Sequence, residues 1–157
     1  MAGKPSKKKA AKGSKSSKRV KSQGPARCAV LWGLDPSFGE AAGQKGAAVR
    51  EVLRQMGVPA RTLSYEHLGD AAGAAAGHPG FRPSPVPYAG PAPECEFVLL
   101  CGLDGPAVTE FIARSREAGC SVGPKALLTP ANRSWPMARL IQAVNAEHQQ
   151  MTGAAPA

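Results

Sequence analysis

The sequence predicts an α/β fold of the α+β kind, a pseudo-duplicated pair of strand–helix–strand units. Three observations carry this. Two continuous apolar runs of strand length, in RCAVLWGLD and CEFVLLCGLD, each end in Gly-Leu-Asp: Gly33, Leu34, Asp35 in the first, Gly102, Leu103, Asp104 in the second. Each is followed by helical periodicity, a glycine and a second strand-like stretch. Between them lies a proline-dense segment that suits neither a helix nor a sheet interior.

The elements follow in order. The first apolar run is too short for a helix and reads as a buried strand ending at Gly33. From Gly43 to Met56, Val49, Val52, Leu53 and Met56 recur at i, i+3, i+4, i+7, and Gly57 supplies a C-terminal stop. PARTLS sets Ala60, Thr62 and Ser64 against Arg61 and Leu63, a short strand; EHLGDAAGAAAG reads as a loose helix of small residues. Residues 77–93 hold six prolines (79, 83, 85, 87, 91 and 93) and read as an extended, polyproline-like linker over the surface. After the second apolar run, Asp104 is placed to cap a helix whose inner stripe is Val108, Phe111, Ile112 and Ser115 and which closes at Gly119. KALLT reads as a strand. In the last helix Met137, Leu140, Ile141, Val144 and Met151 form the inner face, with Ser134 as N-cap and Pro136 in the first turn.

Two such units can join as a ferredoxin-like split βαβ sandwich, here with an extra C-terminal helix, or as a doubly wound, flavodoxin-like parallel sheet. The first is preferred, because a proline-rich connection stands where a parallel sheet would need a helical crossover. The expected organisation is a disordered basic tail at 1–27, a single α/β domain at 28–151 with its linker at 77–93, and a disordered end at 152–157.

The formal charge of +9 is unevenly spread. Residues 1–27 hold ten Lys or Arg and no acid, which leaves ten basic and eleven acidic side chains for the rest. All the basicity is therefore in the tail. Its Lys, Ser, Gly and Ala bury nothing that would repay ordering. Lys7, Lys8, Lys9, Lys12, Lys15, Lys18, Arg19 and Lys21 are the candidate contacts to a polyanion, which they would attract by counterion release without reading sequence. No hydrophobic leader stands in the tail and no later run approaches membrane-spanning length, so no membrane partner is expected. The four cysteines, at 28, 95, 101 and 120, lack the two-residue spacing of zinc or redox pairs; reduced, mostly buried thiols and a cytoplasmic location are expected.

Chemistry is sparse. Asp35 and Asp104 could share a metal if both strands were parallel, but helix capping explains each alone. His67, His78 and His148 have no paired ligand spacing, and GLDPSFG and GLDGP lack the spacing of phosphate-binding glycine loops, so no metal or cofactor is expected. Cys101 at a strand end reads as a buried thiol rather than a nucleophile.

FVLLCGLD, a helix, then KALLTPANRSW and a final helix ending in EH together resemble the bacterial family known as domain of unknown function 3783. Lys125, Asn132, Trp135, Glu147 and His148 stand at family-like positions, and LGDAAGAAAGHPGF is similar to a further segment of its members. The likeness spans roughly 28–151 and is most specific in the last 30 or so residues. It implies no activity and no catalytic residues. Lys125, Asn132 and Trp135 are expected to form one surface, structural first and binding second: Asn132 closing the loop through an Asx-type turn, Trp135 tying the helix start to the sheet. The expected function is a non-enzymatic binding or regulatory module for a protein or small molecule, with nucleic-acid association through the tail as one alternative and a small enzyme as another.

Overall fold

The computed structural model describes residues 26–152. The expected disordered tail at 1–27 and end at 152–157 lie, but for Ala26, Arg27 and Thr152, outside the described residues. Among the described residues four strands alternate with four α-helices: β1 (Cys28–Trp32), α1 (Glu40–Gln55), β2 (Ala60–Thr62), α2 (Ala72–Ala75), β3 (Phe97–Cys101), α3 (Gly105–Glu117), β4 (Lys125–Leu127) and α4 (Met137–Met151). Short 3-10 turns at Pro36–Phe38 and Tyr65–His67 precede α1 and α2.

The sheet order is β2-β1-β3-β4. β1 runs parallel to β2, and β3 parallel to β4; the two pairs meet through an antiparallel β1–β3 seam, with Cys28 opposite Cys101, Val30 opposite Leu99 and Trp32 opposite Phe97. The α+β class and the antiparallel junction are as expected from the sequence, and the doubly wound parallel alternative is not found. One detail differs. In a split arrangement a strand of one unit would lie between the two strands of the other, whereas here each unit keeps its own strands as direct neighbours. Helices α1 and α3 are long enough to return the chain to the adjacent parallel position, and residues 77–93 then make the one reversal between units.

Both central strands are buried on both faces, so their apolar runs do not alternate with polar residues. Ala29, Leu31, Val98 and Leu100 face α1 and α3, meeting Val49, Leu53 and Phe111. Cys28, Val30, Trp32, Phe97, Leu99 and Cys101 face the other way, against Leu68, Ala72, Met137, Leu140 and Ile141. The sheet is thus the middle of three layers.

An approximate twofold relates the two halves down to single hydrogen bonds. Ala29 N–H donates to the Pro59 carbonyl (2.9 Å) as Val98 does to Pro124 (3.2 Å), and Leu63 to Leu31 as Leu128 to Leu100 (both 2.9 Å). Gly33 and Gly102 end the equivalent central strands at φ of 75° and 72°, a left-handed turn that glycine makes without strain. The repeat is longer than the strand–helix–strand unit read from the sequence: α2 is the counterpart of α4, cut to one turn.

Local capping signals set some helix starts and are overridden at others. Asp104 caps α3 through Ala107 N–H (3.0 Å). Asp35 caps only the 3-10 turn, through Ser37 N–H (2.9 Å), and α1 begins later. Ser134 does not cap α4. Pro136 occupies the cap position, and the first N–H groups of the helix, Met137 and Ala138, donate to the carbonyls of Asp70 and Leu68 (both 2.9 Å). Met151, expected on the inner face, is 86% exposed at the last position of α4. Residues 77–93 form no helix or strand. They are nevertheless tied down: Ser84 N–H to the Asp70 carboxylate (2.8 Å), Tyr88 N–H to the Glu66 carbonyl (2.9 Å), Tyr65 O–H to the Gly90 carbonyl (2.8 Å) and Trp32 Nε1–H to the Pro93 carbonyl (3.1 Å).

Candidate functional site

The loop from β4 into α4 is built around Asn132. Its Oδ1 accepts from Thr129 N–H (2.9 Å), its Nδ2 donates to the Leu127 carbonyl (3.0 Å), and its own N–H donates to Thr129 Oγ1 (3.2 Å). One amide side chain thereby closes a turn whose backbone groups have no ladder partners. Trp135 follows, its N–H on the Asn132 carbonyl (3.0 Å). The indole is half-buried against the α2–α4 side of the core, and the Arg139 guanidinium lies over it, 4.2 Å from the ring centroid. Its carbonyl accepts from Ala72 N–H (2.8 Å), and the Arg133 carbonyl from Gly73 N–H (2.8 Å). The starts of α2 and α4 thus cap each other through an antiparallel bridge between Ala71 and Pro136. The tryptophan stands where the two halves of the chain interlock.

Lys125 lies elsewhere, at the opposite end of β4. Its ammonium donates to the carbonyls of Val122 (2.7 Å) and Gly123 (3.3 Å), and burial pulls its pKa below the usual lysine value, opposed by nearby Glu96. Glu96 is already engaged by Lys45 (2.8 Å) and accepts from Gly123 N–H (3.4 Å). Because α4 runs back along the sheet, its last turns bring Glu147, His148, Val144 and Met151 to the same place, enclosing with Gly123, Pro124 and Lys125 a cleft of about 290 Å³. The imidazole of His148 sits against Gly123 so closely that a Cβ there would collide with it. Lys125 is therefore joined by Glu147 and His148, while Asn132 and Trp135 share the loop at the other end.

The remaining candidates separate. With β1 and β3 antiparallel, Asp35 and Asp104 leave the sheet at opposite ends. Among the described residues no group of three His, Cys, Asp or Glu is arranged to hold a metal ion. Cys101 is fully buried and faces Cys28 across the seam. Cys28 Sγ donates to the Ala76 carbonyl (3.5 Å) and Cys101 Sγ to the Leu99 carbonyl (3.9 Å). The closeness of the two thiols pulls the Cys28 pKa down, against burial and with help from Arg61, and pushes that of Cys101 up together with burial. All four cysteines are free.

The sequence reading missed Asp70. It is 5% exposed, with Oδ2 against His67 Nδ1 (2.9 Å) and Oδ1 accepting from Ser84 N–H (2.8 Å). The i, i+3 spacing of His67 and Asp70 is local, but the partner at Ser84 stands inside the proline-rich segment, where no pattern points to it.

These features define an α+β protein of two interlocked βαβα units around one four-stranded mixed sheet. Residues 96–151, the whole second unit, match the family described as Domain of unknown function (DUF3783). The resemblance read from the sequence holds over that unit; the matched stretch begins at 96 rather than near 28. No curated protein and no solved structure is significantly similar to the chain. Among the described residues, no helix is long and apolar enough to cross a membrane.

Proposed function

We propose that the protein is a non-enzymatic binding module that associates with DNA or RNA, without sequence preference, through its Lys-rich N-terminal segment. The observation that carries this is the partition of charge: ten basic and no acidic residues in 1–27, against a nearly neutral remainder. Such a segment releases counterions on meeting phosphates and needs no fold to do so. The separation of Asp35 from Asp104 and the burial of Cys101 weigh against the enzyme alternative, since no reaction centre forms from them. Four free cysteines support a reducing, cytoplasmic setting.

The test compares the full chain with a full-length variant in which Lys7, Lys8, Lys9, Lys12, Lys15, Lys18, Arg19 and Lys21 are replaced by glutamine, using fluorescence anisotropy on DNA and RNA of unrelated sequences. If about five side chains meet phosphates, the logarithm of affinity falls against that of salt with a slope of about −4, and the variant loses the effect. Equal binding by both proteins, or none by either at low salt, overturns the proposal.

A further inference from the structure

We propose that the cleft between the start of β4 and the last turns of α4 binds a small zwitterion of the aliphatic α-amino-acid class, its carboxylate on Lys125 and its ammonium on Glu147. This goes beyond the nucleic-acid reading and is independent of the N-terminal segment.

The argument begins with Lys125. An ammonium has three donors; two are taken by the carbonyls of Val122 and Gly123, which leaves one for a ligand. Those carbonyls solvate the charge without neutralising it. Among the described residues no carboxylate lies within ion-pairing distance of Lys125; nearby Glu96 is paired with Lys45 at 2.8 Å. A half-buried cation held on neutral acceptors beside a cavity is arranged for an anion from outside. A carboxylate in the cleft would complete the pairing that the fold leaves open.

The other walls narrow the class. Glu147 puts a negative charge on the same cleft, which disfavours phosphates and dicarboxylates and favours a ligand that also carries a cation. Val144 and Met151 supply apolar surface for a short aliphatic chain. The volume, about 290 Å³, is at the small end of ligand sites, which suits a free amino acid and not a nucleotide. Gly123 brings the backbone against the His148 ring, so the imidazole forms a fixed side of the cleft.

The probes are L-leucine, L-leucinamide, which lacks the carboxylate, and 4-methylpentanoate, which lacks the amine. Binding to the full chain is followed by amide chemical-shift perturbation. L-leucine is expected to give saturable shifts at residues of β4 and the end of α4. Each analogue should bind about tenfold or more weakly, as expected for loss of a charge-assisted hydrogen bond. Lys125→Met should lose L-leucine and L-leucinamide discrimination, and Glu147→Gln should weaken L-leucine while leaving 4-methylpentanoate unchanged. Glu147 is exposed, so its replacement tests the idea even if Lys125→Met fails to fold. Absence of saturable shifts with L-leucine, or L-leucine binding that is indifferent to Glu147→Gln, overturns the proposal.

Discussion

Replacing Trp135 with alanine removes a ring that is half-buried against the α2–α4 side of the core and stacked under Arg139 at 4.2 Å. A fully buried aromatic truncated to alanine costs about 3–5 kcal/mol. Half that burial leaves roughly 2 kcal/mol, and the cation–π contact adds about 0.5–1 kcal/mol. The expected loss is therefore about 2–3 kcal/mol, which for a chain of this size lowers Tm by roughly 5–10 °C. Urea denaturation followed by far-UV circular dichroism measures it directly, with an unchanged slope expected if only the folded state is affected. The double variant with Arg139→Ala closes a cycle whose coupling should be about 0.5–1 kcal/mol. A loss under about 0.5 kcal/mol would place Trp135 with ordinary surface residues and refute the interlocking role given to it.

Two further outcomes follow from buried charges. Asp70→Ala leaves Ser84 N–H without its acceptor and should cost about 1–3 kcal/mol, with faster proteolysis within 77–93 as the signature that its anchor has gone. Lys125, followed by NMR of ε-labelled lysines, should titrate below the ordinary 10.5. Burial favours the neutral amine there, so the side chain lowers stability while charged, and that cost is lifted as pH rises through the folded-state pKa toward 10.5. Titration at or above 10.5 would contradict the desolvation described for it.

What could be read from the sequence was what neighbouring residues decide. The runs ending in Gly33 and Gly102, the stripe Val49, Val52, Leu53 on α1 and the Asp104 cap all depend on contacts within a few positions, and all are found. The Asx-type role of Asn132 is equally local. Ser134 failed as a cap because the carbonyls of Leu68 and Asp70, more than sixty residues away, reach the same N–H groups first. Strand order was likewise not legible: CAVLW and FVLLC are apolar on both faces, so nothing in their pattern says which neighbour each will take. The cleft at Lys125 depends on α4 returning its end to the start of β4, a consequence of helix length and direction rather than of any motif.

The mutual capping of α2 and α4 makes the two halves a clasp. Each supplies the carbonyls that complete the other's helix start, and each lays its central strand along the other's open edge. A chain cut within residues 77–93 would fall into two pieces, either of which alone would leave helix N–H groups and a strand edge bare to water. Together they would re-form the same seam as a noncovalent heterodimer. Residues 96–151, though they match a family by themselves, are in this molecule one half of a paired fold.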